Sequence, residues 1–256
     1  MKKLSLIGLG LWNEKDITKR GLEKARESDV IYLENYTSDL PGTKKEKIEE
    51  EIGKRVQPAN RKFIEDGKIL LHAKSNHIAL LVPGDPLIAT THTDLLLRAK
   101  KMDIKTEVIH NSSIYSAIGE TGLQIYKFGK TATVTFWKPN YKPESFYNTL
   151  KENKKRGLHT LLLLDLEKTK EKYLSPREAI RTLLEIEKKK KEEIFTEETD
   201  TVAVSRLGSP KRKIKYGKAK NVAQEKFEPP SSLIIPGELH EMEKKYLEQF
   251  KISKED

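Results

Sequence analysis

The chain has 256 residues, a length that allows one large domain or two of about 100 to 150 residues. It contains no cysteine, and no apolar run approaches the roughly 18 to 20 residues of a membrane-spanning helix, so a disulfide scaffold is excluded and no membrane association is expected. Lys and Arg number 49 and Asp and Glu 39, and the resulting formal charge of +10 permits nucleic-acid binding without requiring it. Without cysteine or an apolar leader segment, we expect a cytoplasmic protein.

The first part of the chain alternates strand-like and helix-like segments, which is the pattern of an α/β fold with a largely parallel sheet. The predicted strands are residues 4–9, 29–33, 78–82 and 105–109, and the predicted helices are residues 17–26, 45–52 and 90–100. Signals between residues 53 and 77 are weak. We expect an N-terminal α/β domain over residues 1–110.

The second part of the chain mixes strands and helices differently. The predicted strands are residues 132–137, 160–166, 202–206, 214–218 and 233–235, and the predicted helices are residues 114–119, 143–156, 176–191 and 238–250. Ser112 and Ser113 precede the first of these helices, where a serine can cap it. This order predicts an α+β domain over residues 111–256.

Two glycines, Gly8 and Gly10, follow the first predicted strand and allow the backbone to turn sharply and approach a ligand. A nicotinamide-binding fingerprint would have a third glycine at position 13, which is Asn13. Glu34 ends the second strand, where such folds place the acid that binds ribose. Because the third glycine is missing, the pattern disfavours dinucleotide binding.

The segment Pro83-Gly84-Asp85-Pro86 follows the most apolar predicted strand and places a carboxylate at its C-terminal end. Ligands in α/β sheets bind at that edge. A plain tight turn, with Asp85 capping the next helix, is the alternative, and local chemistry alone slightly favours it.

Two other clusters are weaker candidates. His72 and His77 lack a recognised zinc spacing, so no metal site is predicted. Lysines and arginines crowd residues 211–220, where they can form either a phosphate-contacting patch or the solvated face of a hairpin, and their spacing favours the hairpin.

Five motifs occur in a characteristic order: IGLGL from residue 7, GDPLIATTH from residue 84, VIHNSSIYSAIGETGLQIYKFGK from residue 108, GLHTLLLLDL from residue 157 and PGELH from residue 236. In order and spacing they resemble the diphthine synthases of the tetrapyrrole methylase superfamily, over nearly the whole chain. The GDP triplet is widespread in that superfamily, whereas residues 89–92 and 122–129 look specific to the diphthine branch.

The resemblance implies a two-domain tetrapyrrole-methylase-like α/β fold, with an N-terminal mostly parallel sheet and flanking helices, a C-terminal mixed α+β domain and a cofactor cleft between them. It implies S-adenosyl-L-methionine as methyl donor, S-adenosyl-L-homocysteine as product, and no metal. The cofactor-binding residues implied are Leu11, Asp85, Ile88, Ser113, Ile114, Leu166, Leu207 and His240. No catalytic residue is assigned, and His92 is a candidate general base for which a structural role at a helix start is the commoner alternative.

The function implied is trimethylation of the amino nitrogen of a 3-amino-3-carboxypropyl group on a histidine of translation elongation factor 2, which yields diphthine. The resemblance also implies a homodimer and no requirement for nucleic acid. The number of transfers stays open, because eukaryotic relatives also methylate the carboxylate. Two alternatives remain, a precorrin-type tetrapyrrole methyltransferase with the same fold and a basic RNA- or ribosome-binding protein without affinity for the methyl donor.

Overall fold

The computed structural model describes residues 2–34 and 36–253. The chain forms two compact units, Met1–Ala117 and Ile118–Asp256. The domain boundary expected at residue 110 stays a prediction. Among the described residues, no helix is long and apolar enough to cross a bilayer.

The first unit contains a five-stranded sheet whose strands all run parallel in the order β3-β2-β4-β1-β5. Its strands are β1 Lys3–Gly8, β2 Val30–Glu34, β3 Val56–Ala59, β4 His77–Val82 and β5 Lys105–Ile109. Its helices are α1 Lys19–Glu27, α2 Lys45–Ile52, α3 Arg61–Glu65, α4 Lys68–Ala73, α5 His92–Lys101 and α6 Ile114–Ala117.

Helices cover both faces of this sheet, which is why its central strands β1 and β4 are mostly apolar and are buried on both faces. Leu6 and Leu80 belong to a buried cluster that includes residues of α3, α4 and α5. Ile7 and Leu81, their neighbours in the chain, belong to a second cluster with residues of α1 and α2. Burial of each such side chain contributes about 1.5 to 3 kcal/mol.

The strand order creates a switch point between β4 and β1. After β1 the chain crosses to β2 on one side, and after β4 it crosses to β5 on the other. In open α/β sheets, ligands bind outside the carboxyl ends of strands at such a point. We therefore expect a ligand site at the loops after β1, β4 and β5.

The second unit is built on a mixed five-stranded sheet in the order β11-β10-β12-β7-β6, with a separate ribbon of β8 and β9. Its strands are β6 Ala132–Val134, β7 Thr160–Leu164, β8 Leu166–Glu167, β9 Lys172–Tyr173, β10 Asp200–Ser205, β11 Lys213–Lys218 and β12 Ser231–Ile235. Its helices are α7 Ser145–Lys155, α8 Pro176–Lys190, α9 Ala219–Val222 and α10 Glu241–Leu247. Among the described strands of this unit, β6 and β7 pair in parallel and the other pairs are antiparallel.

Helix α8 shows how local sequence sets an element of this unit. Ser175 accepts a hydrogen bond from the Glu178 amide, and the Glu178 carboxylate accepts one from the Ser175 amide, 2.8 Å away. Pro176 occupies the first turn, where no amide donor is needed. The cap contributes about 1 kcal/mol, and Ile180 and Leu183 bury the apolar face of the helix.

Most predicted elements are confirmed, and the departures have local causes. The weak stretch between residues 53 and 77 contains β3, α3 and α4, which are too short for a clear periodic signal. The strand predicted over residues 160–166 breaks at Asp165, whose carboxylate accepts hydrogen bonds from Leu166 N at 2.9 Å and Phe136 N at 3.3 Å. The strand predicted over 132–137 ends at Val134. The last helix starts late because His240 is its N-cap.

Candidate functional site

The loops after β1 and β4 meet through backbone hydrogen bonds. Gly84 N lies 2.7 Å from Gly10 O, and Gly10 N lies 3.3 Å from Gly84 O. Gly10 and Gly84 have φ of +78° and +77°, and a Cβ on Gly8 would lie 2.7 Å from Gly84 O. Only glycine allows this approach, so the IGLGL and GDP motifs together form one backbone platform at the switch point.

Asn111 joins the loop after β5 to this platform. Its Nδ2 donates to Gly8 O and to Asp16 O, both at 2.9 Å. Its backbone amide donates to Asp85 Oδ2 at 3.1 Å. Asn111 thus holds three loops at the carboxyl edge together, through its side chain to the loop after β1 and through its backbone amide to the loop after β4.

Asp85 is buried and fixes the turn that carries it. Oδ1 accepts from Leu87 N at 2.9 Å, and Oδ2 faces His110 Nδ1 at 2.8 Å as well as the Asn111 amide. The alternative in which Asp85 caps the next helix is wrong, because Thr91 occupies the N-cap of α5. Asp85 instead connects the turn after β4 to the loop after β5.

Apolar side chains surround the platform. Ile88 is 37% exposed, whereas Ser113 is buried and its Oγ accepts from Tyr115 N at 3.2 Å. Leu11 and Ile114 are half-buried. The first unit therefore brings five of the predicted residues to one edge on three loops: Leu11, Asp85, Ile88, Ser113 and Ile114.

Two residues next to predicted contacts adopt backbone conformations that side chains disfavour. Ala89 in the first unit has φ of 54°, and Arg206 in the second has φ of 52°. They adjoin Ile88 and Leu207, respectively. Such strain is concentrated at ligand-binding loops.

His92 lies behind the turn after β4, with no exposed side-chain surface. Nδ1 lies 2.9 Å from Pro86 O, and Nε2 lies 3.3 Å from Glu34 Oε2. This buried position fits the structural role at a helix start and gives no support to His92 as a general base. Glu34 is also fully buried and cannot contact a ribose, which removes the observation that favoured a dinucleotide.

In the second unit the predicted residues follow strands that run in opposite directions, so that their C-terminal ends lie on opposite sides of the sheet. Leu166 and Leu207 follow β7 and β10, whose last residues lie beside the start of β12. His240 follows the end of β12, where Ile235 pairs with Thr160. The structure therefore brings Leu166 and Leu207 to one edge and places His240 beyond the other.

The loop that contains Leu207 is held by acidic and backbone groups. Gly208 N donates to Glu120 Oε1 at 2.7 Å, and Arg212 Nε lies 3.0 Å from Glu120 Oε2. Arg206 Nε donates to Pro229 O at 2.8 Å. Leu207 itself is 5% exposed, so it presents a small apolar surface beside a fixed backbone.

Sequence reasoning missed a buried polar cluster in the second unit, which consists of Lys127, His159 and Glu243. Glu243 is 1% exposed, and its carboxylate accepts from Lys127 Nζ at 2.6 Å and faces His159 Nε2 at 2.9 Å. It also accepts from the backbone amides of Gln124 and His240. The available signal was that Lys127 and His159 each lie in one of the motifs, whereas Glu243 lies three residues after the PGELH motif.

The remaining candidates are accounted for structurally. His72 Nδ1 faces Tyr32 Oη at 2.6 Å and His77 Nε2 faces Ser5 Oγ at 2.9 Å, and no metal-binding cluster exists in the described part of the chain. The basic segment includes β11, which pairs with β10 in an antiparallel hairpin, as its spacing favours. Its side chains form ion pairs, among them Lys213–Glu225, Lys218–Asp200 and Lys220–Glu198.

Comparison with known proteins shows the family. The family model of the tetrapyrrole (corrin/porphyrin) methylases matches residues 3–223. The chain belongs to this methylase family. The predicted fold class is therefore confirmed, with a parallel sheet in the first unit and a mixed sheet in the second.

Within the methylase family, the chain is similar to diphthine synthases. A diphthine synthase of Methanocaldococcus jannaschii is 47% identical over 252 residues, which cover 95% of this chain and 98% of that protein. A diphthine methyl ester synthase of Candida glabrata is 45% identical, over 98% of this chain and 91% of that protein. A crystal structure from Entamoeba histolytica, provisionally named a diphthine synthase, superposes with a TM-score of 0.91 and 41% identity over 98% and 99% of the two chains.

Proposed function

We propose that the protein is a diphthine synthase that uses S-adenosyl-L-methionine to trimethylate the 3-amino-3-carboxypropyl group on a histidine of translation elongation factor 2. The observation that carries the proposal is the identity of 47% with a diphthine synthase over nearly the full length of both chains. The protein is a methyltransferase of diphthamide biosynthesis, and the donor, the acceptor and the number of transfers are the proposed details.

The platform of the first unit fits the proposed donor. S-adenosylmethionine supplies a methyl group on a positively charged sulfur and carries an aromatic base that favours apolar surroundings. Ile88, Leu11 and Ile114 offer partly exposed apolar surface beside the open backbone of Gly84. Ligand sites combine such walls with a few polar groups, and the Ser113 hydroxyl can supply one as a donor.

Asp85 contributes to the proposed site mainly by holding the turn, because both of its carboxylate oxygens already accept hydrogen bonds. On the second unit we propose Leu166 and Leu207 as apolar contacts. His240 remains a proposed contact that needs its own variant, since it follows the other edge of its sheet.

Transfer of a methyl group from a sulfonium to an amine is an in-line displacement, so alignment and exclusion of water are the main tasks of the protein. It needs no covalent nucleophile. Because His92 is buried, we propose that the ammonium proton leaves to solvent and not to that imidazole.

The proposed homodimer is supported by exposed apolar side chains in the second unit, where Tyr126 is 81% exposed and Met242 62% exposed. Sedimentation velocity at several protein concentrations tests it, and a single species of 29.4 kDa would contradict it.

Methylation of a precorrin-type tetrapyrrole is the second candidate, favoured by the name of the family. Calorimetric titration with S-adenosylhomocysteine should show one site per chain under either proposal. Incubation with labelled S-adenosylmethionine then separates them, because a diphthine synthase transfers label to elongation factor 2 and not to a precorrin. Without any binding of S-adenosylhomocysteine, both candidates fail.

A further inference from the structure

Behind the turn after β4, two titratable side chains face each other without contact with solvent. Glu34 ends β2 and His92 begins α5, and both side chains have an exposed fraction of 0%. Glu34 Oε2 and His92 Nε2 lie 3.3 Å apart with imperfect alignment, and neither atom has another hydrogen-bond partner among the described residues.

Each remaining polar atom of the pair is anchored to backbone. His92 Nδ1 lies 2.9 Å from Pro86 O, and a carbonyl oxygen only accepts, so Nδ1 carries a hydrogen. Glu34 Oε1 accepts from Thr37 N at 2.7 Å and from Thr37 Oγ1 at 2.5 Å. The imidazole therefore bridges the end of β2 and the turn that contains Asp85.

The contact between His92 Nε2 and Glu34 Oε2 requires a hydrogen as well. If Nε2 lacked one, its lone pair would face a carboxylate oxygen between two side chains with no exposed surface, and buried polar atoms arranged in this way are destabilising. One proton shared between Nε2 and Oε2 resolves the conflict. His92 is then held from both sides, and rotation of its ring would break the bond to Pro86.

We propose that His92, held by Glu34, is a positioning residue for the cofactor site. Its bond to the Pro86 carbonyl fixes the position of that carbonyl and thereby of residues 84–88. The inference rests on the proposed function, because it takes this edge as the site of S-adenosylmethionine. It assigns no proton transfer to His92. Supporting side chains of this kind shift affinity or activity by about 10- to 100-fold when they are lost.

The test compares S-adenosylhomocysteine affinity, measured by calorimetry on the full chain, with unfolding temperature. His92→Phe removes both ring nitrogens and should raise the Kd about tenfold or more. His92→Asn can keep a donor near the Pro86 carbonyl and should recover most of the affinity. His77→Phe is the matched control, because His77 is a buried histidine at the opposite end of β4.

Glu34 provides a second pair of variants. Glu34→Gln can donate to His92 Nε2 and still accept from Thr37, so the Kd should stay within about twofold of the unmodified protein. Glu34→Ala leaves the imidazole free to turn and should weaken binding nearly as much as His92→Phe. If His92→Phe does not fold, the two Glu34 variants still test the positioning role of His92.

The outcomes separate the two proposals. Equal Kd values for the His92→Phe and His77→Phe variants, or for Glu34→Ala and Glu34→Gln, would overturn the positioning role. If the unmodified protein does not bind S-adenosylhomocysteine, the proposed function fails instead. In the His92→Phe and Glu34→Ala variants, KM for the cofactor should rise while kcat, measured at saturating cofactor, changes much less. General destabilisation does not produce this difference.

Discussion

The Nε2 atom of His159 donates a hydrogen bond of 2.9 Å to Glu243 Oε1, and both side chains are buried. The direction of the bond is fixed because Gly237 N donates to His159 Nδ1 at 2.9 Å, which leaves the ring hydrogen on Nε2. Burial holds the pKa of His159 below its ordinary value. Burial alone would raise the pKa of Glu243, but the bonds from Gln124 N, Lys127, His240 N and His159 lower it to about 2.

Replacement of Glu243 should therefore be costly. Glu243→Gln removes the charge opposite Lys127 and should lower the free energy of unfolding by about 3 kcal/mol. Glu241→Gln is the control, because Glu241 lies on the same helix with a side chain 75% exposed and should have no measurable effect. Urea denaturation checks both, and equal midpoints for the two variants would contradict a stabilising role for the cluster.

The same cluster predicts acid sensitivity. His159 has its pKa lowered by folding, so the unfolded chain binds the proton first and stability falls as pH drops through the ordinary value of 6.5. Glu243, lowered from 4.5 to about 2, adds stability above pH 4.5 that is lost as pH falls towards 2. Denaturation at a series of pH values should show both steps, and Glu243→Gln should flatten the lower one. A variant curve parallel to that of the unmodified protein would refute this assignment.

The sequence predicts four of the five strands of the parallel sheet, and β4, a continuous buried apolar run after its first residue, was found within one residue. It does not predict the buried cluster, because Glu243 lies 84 residues from His159 and 116 from Lys127 along the chain. Periodicity describes neighbours within one element, whereas this contact depends on the order of strands in the second unit. Residues 122–129, which look specific to the diphthine branch, are explained in part by the bond between Lys127 and Glu243.

Gly10 of the platform has a matched control in Gly53, which follows α2 and has the same backbone conformation. Gly10 and Gly53 both have φ of +78°, but a Cβ on Gly10 would lie 2.6 Å from Asp16 Cβ, whereas one on Gly53 meets nothing within 4 Å. Gly53→Ala should cost about 1 kcal/mol for the left-handed backbone alone. Gly10→Ala should cost about 2 to 4 kcal/mol and also weaken S-adenosylhomocysteine binding.

Thermal unfolding measures the loss of stability in Gly10→Ala and Gly53→Ala, and calorimetric titration measures their affinity for S-adenosylhomocysteine. If Gly10→Ala binds S-adenosylhomocysteine as tightly as Gly53→Ala, the contact between the loops after β1 and β4 is not part of the cofactor site.

An exposed apolar residue at the carboxyl edge should matter for binding. Ile88 is 37% exposed, and Ile88→Ala should raise the Kd of S-adenosylhomocysteine about threefold to tenfold through lost apolar contact. Leu71, 59% exposed on α4, is the control, and Leu71→Ala should leave the Kd unchanged. Calorimetric titration of both variants at one temperature tests this. An unchanged Kd for Ile88→Ala would move the apolar wall elsewhere.

Part of the candidate site was predictable because the sheet is parallel. Loops that follow parallel strands meet at one edge, so the sequence places Asp85 and Ser113 near Gly10 without knowledge of the contacts. The burial of His92 could not be foreseen, because an isolated histidine at a helix start looks the same whether it faces solvent or a carboxylate. The position of His240 depends on the antiparallel direction of β12, which apolar patterning does not reveal.

Mass spectrometry of elongation factor 2 bearing the 3-amino-3-carboxypropyl histidine, after incubation with this protein and S-adenosylmethionine, tests the central claim most directly. The account predicts a gain of three methyl groups on that histidine, and a fourth would show that the carboxylate is methylated as well. No gain in mass, from a preparation that binds S-adenosylhomocysteine, would contradict the claim that this methyltransferase is a diphthine synthase.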